Sequence, residues 1–243
     1  MKTLVEVKGL TKEFGPVKAV NDISFEMYEG EILGLMGPNG AGKTTTLQML
    51  LNLTYQSAGT VTIFGMDYKK NREEILSRIN FSSSYISLPY ALTVRENLMV
   101  FARLYSVRGA AAKIGELLKL FEIDDIQHTT TRKLSSGMIT RVCLCKSLLN
   151  DPEILFLDEP TASLDPDIAD KTRTLLKRIR DERGLSILYT SHNMTEMEEL
   201  CDRVIFMDKG SIIAAGRPAE ILERFGGADF EEVFLKITRG PCA

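Results

Sequence analysis

The stretch GPNGAGKT, Gly37 to Thr44, follows the apolar run EILGLM and leads into TTTLQMLLNL. Glycines at 37, 40 and 42 let the backbone curl until its N–H groups point inward, the geometry that cradles phosphate oxygens. A helix starting at its end adds a partial positive charge. Lys43 is placed to reach β- and γ-phosphates, and Thr44 offers a hydroxyl to Mg²⁺. A glycine-rich turn with an exposed lysine is the plainer reading. The strand before and the helix after argue against it.

Two further stretches carry chemistry. EILFLDEP is an almost wholly apolar run closed by two acids. It predicts a buried parallel strand with Asp158 at its tip, able to hold Mg²⁺ through a water. Glu159 follows, displaced toward the γ-phosphate side, where it can orient the attacking water or take its proton. LSSGM, Leu134 to Met138, precedes the helical run ITRVCLCKSLL, so a serine and a flexible glycine meet a second helix N-terminus. By itself LSSGM reads as an ordinary helix cap. Beside the acid-tipped strand it reads as a second phosphate-binding surface in a chain with one phosphate loop. A symmetric head-to-tail dimer resolves this, with LSSGM of one subunit closing over the ATP held by the other.

These motifs need elements to position them. LVEVKGL alternates as a strand, and two more strands flank the turn at Glu29-Gly30. GTVTIFG is a further short strand. Thr93 and Glu96 have capping-box spacing, after which Val94, Leu98, Phe101, Ala102 and Tyr105 line one helix face. AAKIGELLKLFEI is a second helix. Strand signals are sparse from about Ala91 to Asn150, which predicts a helical lobe inserted into an α/β core. Asp165, Pro166 and Gly184 bracket another helix as N-cap, first position and stop. LSILYTSH is a second buried strand, RVIFMDKGSIIAAG a hairpin turning at Lys209-Gly210, and the rest one helix and a tail. Strand–helix alternation with acids at a strand tip indicates a mostly parallel sheet with its ligand beyond the carboxyl ends.

The chain has 243 residues, 26% of them charged, and a formal charge of -3. That balance argues against a general nucleic-acid binder. The basic cluster Arg173, Lys177, Arg178 and Arg180 lies among Asp170, Asp181 and Glu182 and reads as a solvated helix face. Of the four cysteines, Cys143 and Cys145 point apart on a helix and lack histidine partners, so buried thiols are expected rather than a metal site. The start MKTLVEVKGL lacks the apolar core of a signal peptide, and no apolar run approaches bilayer length. A membrane role is therefore expected through a partner.

Taken together, these residues resemble the nucleotide-binding subunit of an ATP-binding-cassette (ABC) transporter over about residues 3 to 222. GPNGAGKT resembles Walker A, LFLDE resembles Walker B, LSSGM the signature, and SLD at 163–165 the D-loop. His192 in TSHNM resembles the switch histidine, and Phe14 is placed like the aromatic that stacks on adenine, a task any flat ring can do. The resemblance implies an α/β P-loop NTPase core, an N-terminal antiparallel β subdomain and an inserted helical lobe. One ABC ATPase domain is implied, with its core at about 1–84 and 142–222, a lobe at about 85–141 and a tail at about 223–243. It implies ATP and Mg²⁺ as cofactors. Nucleotide contacts are implied from Phe14, Gly37, Pro38, Asn39, Gly40, Ala41, Gly42, Lys43, Thr44, Thr45, Ser135, Gly137 and Asp165. Glu159, His192 and Lys43 are implied as catalytic, and Thr44 and Asp158 as metal-holding.

The family pattern places a glutamine near Ser84, where it contacts Mg²⁺ and the attacking water. Here INFSSSYISLP supplies serines, and no glutamine occurs between Gln56 and Gln127. Serine is too short to act except through a water, which leaves three readings: coupling through the shape of the loop, slower hydrolysis, or Ser83 or Tyr85 at the site in its place. Ser136 stands for the usual first signature glycine. Met138 stands for the usual glutamine, and with Arg141 beyond it this is similar to export-type members. The implied partners are a separate transmembrane permease docking near Ser84–Arg95 and a second copy or a sibling cassette, with no nucleic acid. The implied location is the cytoplasmic face of the cell membrane. A nucleotide-gated regulator or soluble ABC ATPase with weak hydrolysis is the alternative that the missing glutamine raises. A P-loop kinase would lack the signature and the histidine. A chromosome-maintenance member would place a coiled coil in the roughly ninety residues between Gly37–Thr44 and Leu134–Met138.

Overall fold

A computed structural model describes residues 2–83 and 88–239. Two long strands open the chain, β1 (Thr3–Phe14) and β2 (Val17–Tyr28). They pair antiparallel through several register shifts. β3 (Ile32–Met36) leads through the glycine loop into α1 (Lys43–Leu50). β4 (Ala58–Ile63) returns to β1, giving a three-stranded antiparallel sheet in the order β2-β1-β4. α2 (Tyr68–Arg78) and β5 (Ile79–Ser83) follow.

The chain then runs through α3 (Val94–Leu104), α4 (Ala110–Leu120), a 3₁₀ turn at Thr131–Lys133 and α5 (Ser136–Ser147). The expected capping box is present at α3: Glu96 N–H donates to Thr93 Oγ1 at 3.2 Å, and Thr93 N–H donates to Glu96 Oε2 at 2.8 Å. Val94, Leu98 and Ala102 are its buried stripe. α5 runs unbroken through position 142, the expected junction of lobe and core.

β6 (Ile154–Asp158), α6 (Pro166–Arg183), β7 (Ser186–Ser191), α7 (Met194–Leu200) and the hairpin β8 (Arg203–Asp208)–β9 (Ser211–Gly216) complete a six-stranded sheet. Its order is β5-β6-β7-β3-β8-β9, with only β9 antiparallel. Period-2 alternation explains its burial on both faces. Along β6, Ile154 and Phe156 face a core shared with the antiparallel sheet, α1 and α2, whereas Leu155 and Leu157 face the core packed by α3–α6.

One helix lies outside the sequence-based expectations, and one expectation is corrected. The charged stretch at Lys69, Lys70 and Arg72 lies on α2, which is kinked at Asn71 (φ -129°, ψ 30°), with Asp67 capping Lys69 N–H and only Tyr68 and Ile75 of the helix buried. Its apolar face is too sparse to read from the pattern. The expected C-terminal tail is replaced by a second helix: after α8 (Pro218–Phe225), α9 (Phe230–Arg239) folds back onto the sheet. Phe230 and Val233 are fully buried, and the Phe230 ring meets Phe206 edge-on at 5.0 Å. The signal was present as Phe230, Val233, Phe234 and Ile237 at helical intervals. Cys143, Cys145 and Cys201 are buried, as expected of structural thiols. Among the described residues no helix is long and apolar enough to cross a membrane, and no cluster of three metal-ligating side chains occurs.

Candidate functional site

Strand order places the chemistry. β7 lies between β6 and β3, with Asp158 opposite Thr190 and Met36 opposite Ser191. The three loops leaving these strands therefore emerge side by side. They carry Gly37–Gly42 from β3, Glu159 from β6 and His192 from β7. This is the crevice beyond the carboxyl ends where open α/β sheets bind ligands. The cleft there is lined by Pro38 to Thr45, Ala19, Glu159, Ala162 and His192.

The loop conformation demands its glycines. Gly37 has φ 156°, and a Cβ there would lie 2.2 Å from the Met207 carbonyl oxygen. Gly42 has φ 102°, and its Cβ would lie 2.5 Å from the Ala19 carbonyl oxygen. Gly42 is also the N-cap of α1 and provides no side-chain acceptor. The first N–H groups of α1 are thus left for an anion in the cleft.

Lys43 is only 6% exposed. Its Nζ donates to the carbonyls of Gly37 at 2.6 Å and Pro38 at 3.3 Å, and stands 3.7 Å from Glu159 Oε1. Burial pushes its pKa below the ordinary lysine value, against the pull of Glu159 and Asp158. Asp158 is buried, and among the described residues its carboxylate accepts from hydroxyls, Thr190 Oγ1 at 2.7 Å and Thr44 Oγ1 at 3.2 Å. A buried carboxylate without a salt-bridge partner among the described residues, beside a second hard oxygen, suits a small divalent cation. Thr44 and Asp158 therefore fit Mg²⁺.

Glu159 adopts a left-handed backbone, φ 52°, uncommon for a non-glycine residue and a form of strain that clusters at functional sites. Its N–H is held by Thr190, at 3.2 Å to the carbonyl and 3.1 Å to Oγ1. Its Oε2 lies 2.7 Å from His192 Nδ1. Glu159 thus sits between an ammonium and an imidazole. Beneath it, buried Glu196 accepts from Thr161 Oγ1 at 2.7 Å and Ser191 Oγ at 2.8 Å, so one carboxylate ties the loop after β6 to the end of β7. Thr190 and Glu196 are the positioning residues that sequence reasoning missed. The polar end of strand SILYTS was the only signal for Thr190, and Glu196 stood as one acid among several in MTEMEEL.

The remaining expected residues lie apart. Phe14 is half exposed at the tip of the β1–β2 hairpin, with Lys12 Nζ 4.8 Å from its ring centroid. Ala19 of the same hairpin, not Phe14, lines the cleft. Ser135 caps α5, its Oγ accepting from Met138 N–H at 3.3 Å. Asp165 caps α6, accepting from Ile168 N–H at 3.1 Å. Gly137 packs toward Leu164, and Thr140 and Ser163 share a hydroxyl contact of 2.8 Å. Ser135, Gly137 and Asp165 are not among the residues lining the cleft of their own chain. Ser84 lies outside the described residues.

A family model described as ABC transporter matches residues 20–162. The chain is 39% identical over 235 residues to Nod factor export ATP-binding protein I of Burkholderia lata, covering 95% of this chain and 76% of that protein. It is 38% identical over 236 residues to the protein of the same name from Rhizobium johnstonii, covering 95% and 74%. Among solved structures, an ATP binding subunit of an ABC transporter superposes with a TM-score of 0.87 at 26% identity over 97% of this chain and 99% of that one. A dimeric ATP-binding cassette in a post-hydrolysis state, bound to ADP and Pi, superposes with a TM-score of 0.79 at 24% identity, over 88% and 98%, and shares the fold. With its phosphate loop, acid-tipped strand and histidine gathered on three adjacent strands, the chain belongs to the ABC transporter family as an ATPase subunit.

Proposed function

We propose that this ATPase powers a membrane exporter, working as a head-to-tail pair with a second cassette and docking on a separate permease at the cytoplasmic face of the membrane. The observation that carries the pairing is the split site. Lys43, Thr44, Glu159 and His192 line one cleft, with Asp158 buried against Thr44, while Ser135 and Gly137 face another surface at the start of α5. A second subunit turned head to tail brings its Ser135 and Gly137 over the nucleotide. Export is supported by the relatives named as export ATP-binding proteins and by Met138 and Arg141 in the signature region.

In this reading the curled loop and the N-terminus of α1 bind the phosphates, and Lys43 leaves the Gly37 and Pro38 carbonyls to reach them. Thr44 and Asp158 hold Mg²⁺, which when bound neutralises charge on the β- and γ-phosphates. Glu159 orients the attacking water and takes its proton, and His192 holds the Glu159 carboxylate and senses the γ-phosphate. Phe14 offers a flat, half-exposed ring to the adenine. Asp165 lies at the pair's interface. Residues near Ser84–Arg95 receive the permease, and the helices between β5 and β6 pass motion to it.

The test is affinity purification of the protein from gently solubilised membranes of its own cells. A polytopic membrane protein in near-stoichiometric yield is expected. Recovery of soluble partners alone would overturn the transporter assignment. A second prediction concerns the serine at the family's glutamine position. Ser84→Gln is expected to raise Mg²⁺-dependent ATP hydrolysis severalfold, since it restores the amide that the family places against Mg²⁺ and the attacking water. An unchanged rate across a full ATP titration would count against it.

A further inference from the structure

Away from the nucleotide cleft, a groove of about 190 Å³ lies between the end of α4, the middle of α5 and one face of α6. Its floor is apolar, formed by Phe121, Ile168 and Leu175. Its rim is cationic: Arg141 from α5, with Lys171 and Arg178 from α6, faces the single carboxylate of Glu122. Ile168, Lys171, Leu175 and Arg178 recur at helical intervals, so floor and cations share one side of α6.

Arg141 is the informative residue. Its NH1 donates to the carbonyls of Phe121 at 3.3 Å and Glu122 at 3.2 Å. Its Nε is buried without an acceptor, and no carboxylate pairs with it among the described residues. A buried guanidinium nitrogen left without an acceptor is costly. Among the described residues, the ion-pair partners of the other two cations are exposed neighbours on their own helix, Asp167 at 2.9 Å and Glu182 at 3.9 Å, and Lys171 also feels Glu122. Such surface pairs contribute little and exchange readily for a better acceptor.

We propose that this groove binds a small organic anion, a carboxylate carried on a short apolar body. The body lies on Phe121 and Leu175, and the carboxylate lies among Arg141, Lys171 and Arg178, where charge-assisted hydrogen bonds are strong. The volume falls below the roughly 300 Å³ at which drug-sized sites begin, which selects a fragment-sized ligand over a nucleotide. A seated ligand joins α5, capped by Ser135, to α6, capped by Asp165. It thereby reinforces the Thr140–Ser163 contact between these regions.

The experiment titrates the isotopically labelled full chain with sodium octanoate, with octanol and octylammonium as controls, and follows backbone amide shifts by NMR. Saturable shifts centred on Phe121, Lys171 and Leu175 are expected with octanoate alone, weakening as salt rises. Lys171→Glu and Arg178→Glu change exposed side chains and so preserve the fold. Each is expected to weaken octanoate binding about tenfold, the loss of one charge-assisted contact. Equal shifts from octanol, shifts confined to residues 37–45, or wild-type affinity in both variants would overturn the proposal.

Discussion

Glu159→Gln is expected to lower steady-state ATP turnover by about 10²–10⁴-fold while leaving ATP bound, so that an ATP-loaded dimer accumulates. Glutamine matches glutamate in size, and the backbone N–H of residue 159 keeps its two bonds to Thr190. The substitution therefore removes a proton acceptor without dismantling the loop. It also removes the negative charge 3.7 Å from Lys43 Nζ, which frees that ammonium for the γ-phosphate. Affinity for ATP should hold or rise while chemistry stops. Two measurements check this: phosphate release under saturating Mg-ATP, and size-exclusion chromatography in the same buffer. A variant that turns over at the wild-type rate removes Glu159 from the chemistry. A variant that is inactive yet persistently monomeric removes the composite dimer site.

How much of this site was legible in the sequence follows from how local each feature is. Gly37 to Thr44 act within one turn of chain, and their spacing alone reports a curled loop ahead of a helix. Asp158 and Glu159 were legible only in company with that loop, since acids often end apolar strands and carry little signal alone. Thr190 and Glu196 were not. Thr190 matters only because β7 lies between β6 and β3, and strand order is a long-range property that no window of sequence carries. Glu196 looked like one acid among several in MTEMEEL. Its burial, and its bonds to Thr161 and Ser191, depend on α7 packing flush on β3, where Gly34 leaves room for Met197 and Cys201. α2 was hidden for the opposite reason: it buries so little that its pattern is that of a loop. α9 did carry a local signal, the helical spacing of Phe230, Val233, Phe234 and Ile237.

The same distinction between local motif and tertiary setting bears on Lys43. Lys43→Ala is expected to weaken ATP binding by about ten- to a hundredfold, the worth of the ~1.5–3 kcal/mol that a hydrogen bond to a charged group contributes. Lys43 makes no contact that organises the sheet; its partners are two loop carbonyls and Glu159. The nucleotide-free variant should therefore still unfold cooperatively, while the rise in melting temperature that ATP gives the wild type shrinks with the affinity. Loss of cooperative unfolding would assign Lys43 a structural role instead. A pH series separates charge from shape. Burial holds Lys43 below the ordinary lysine value in the free protein, and phosphate oxygens favour its charged form, so its pKa is higher in the complex. The attraction is thus fully present below the free-state pKa and is lost as pH rises through the complexed one. Wild-type affinity for ATP should fall on the alkaline side, and Lys43→Ala should show no such fall, because the residue that titrates is gone. An identical alkaline decline in both proteins would mean that the phosphates are held by the backbone N–H groups and the helix N-terminus alone.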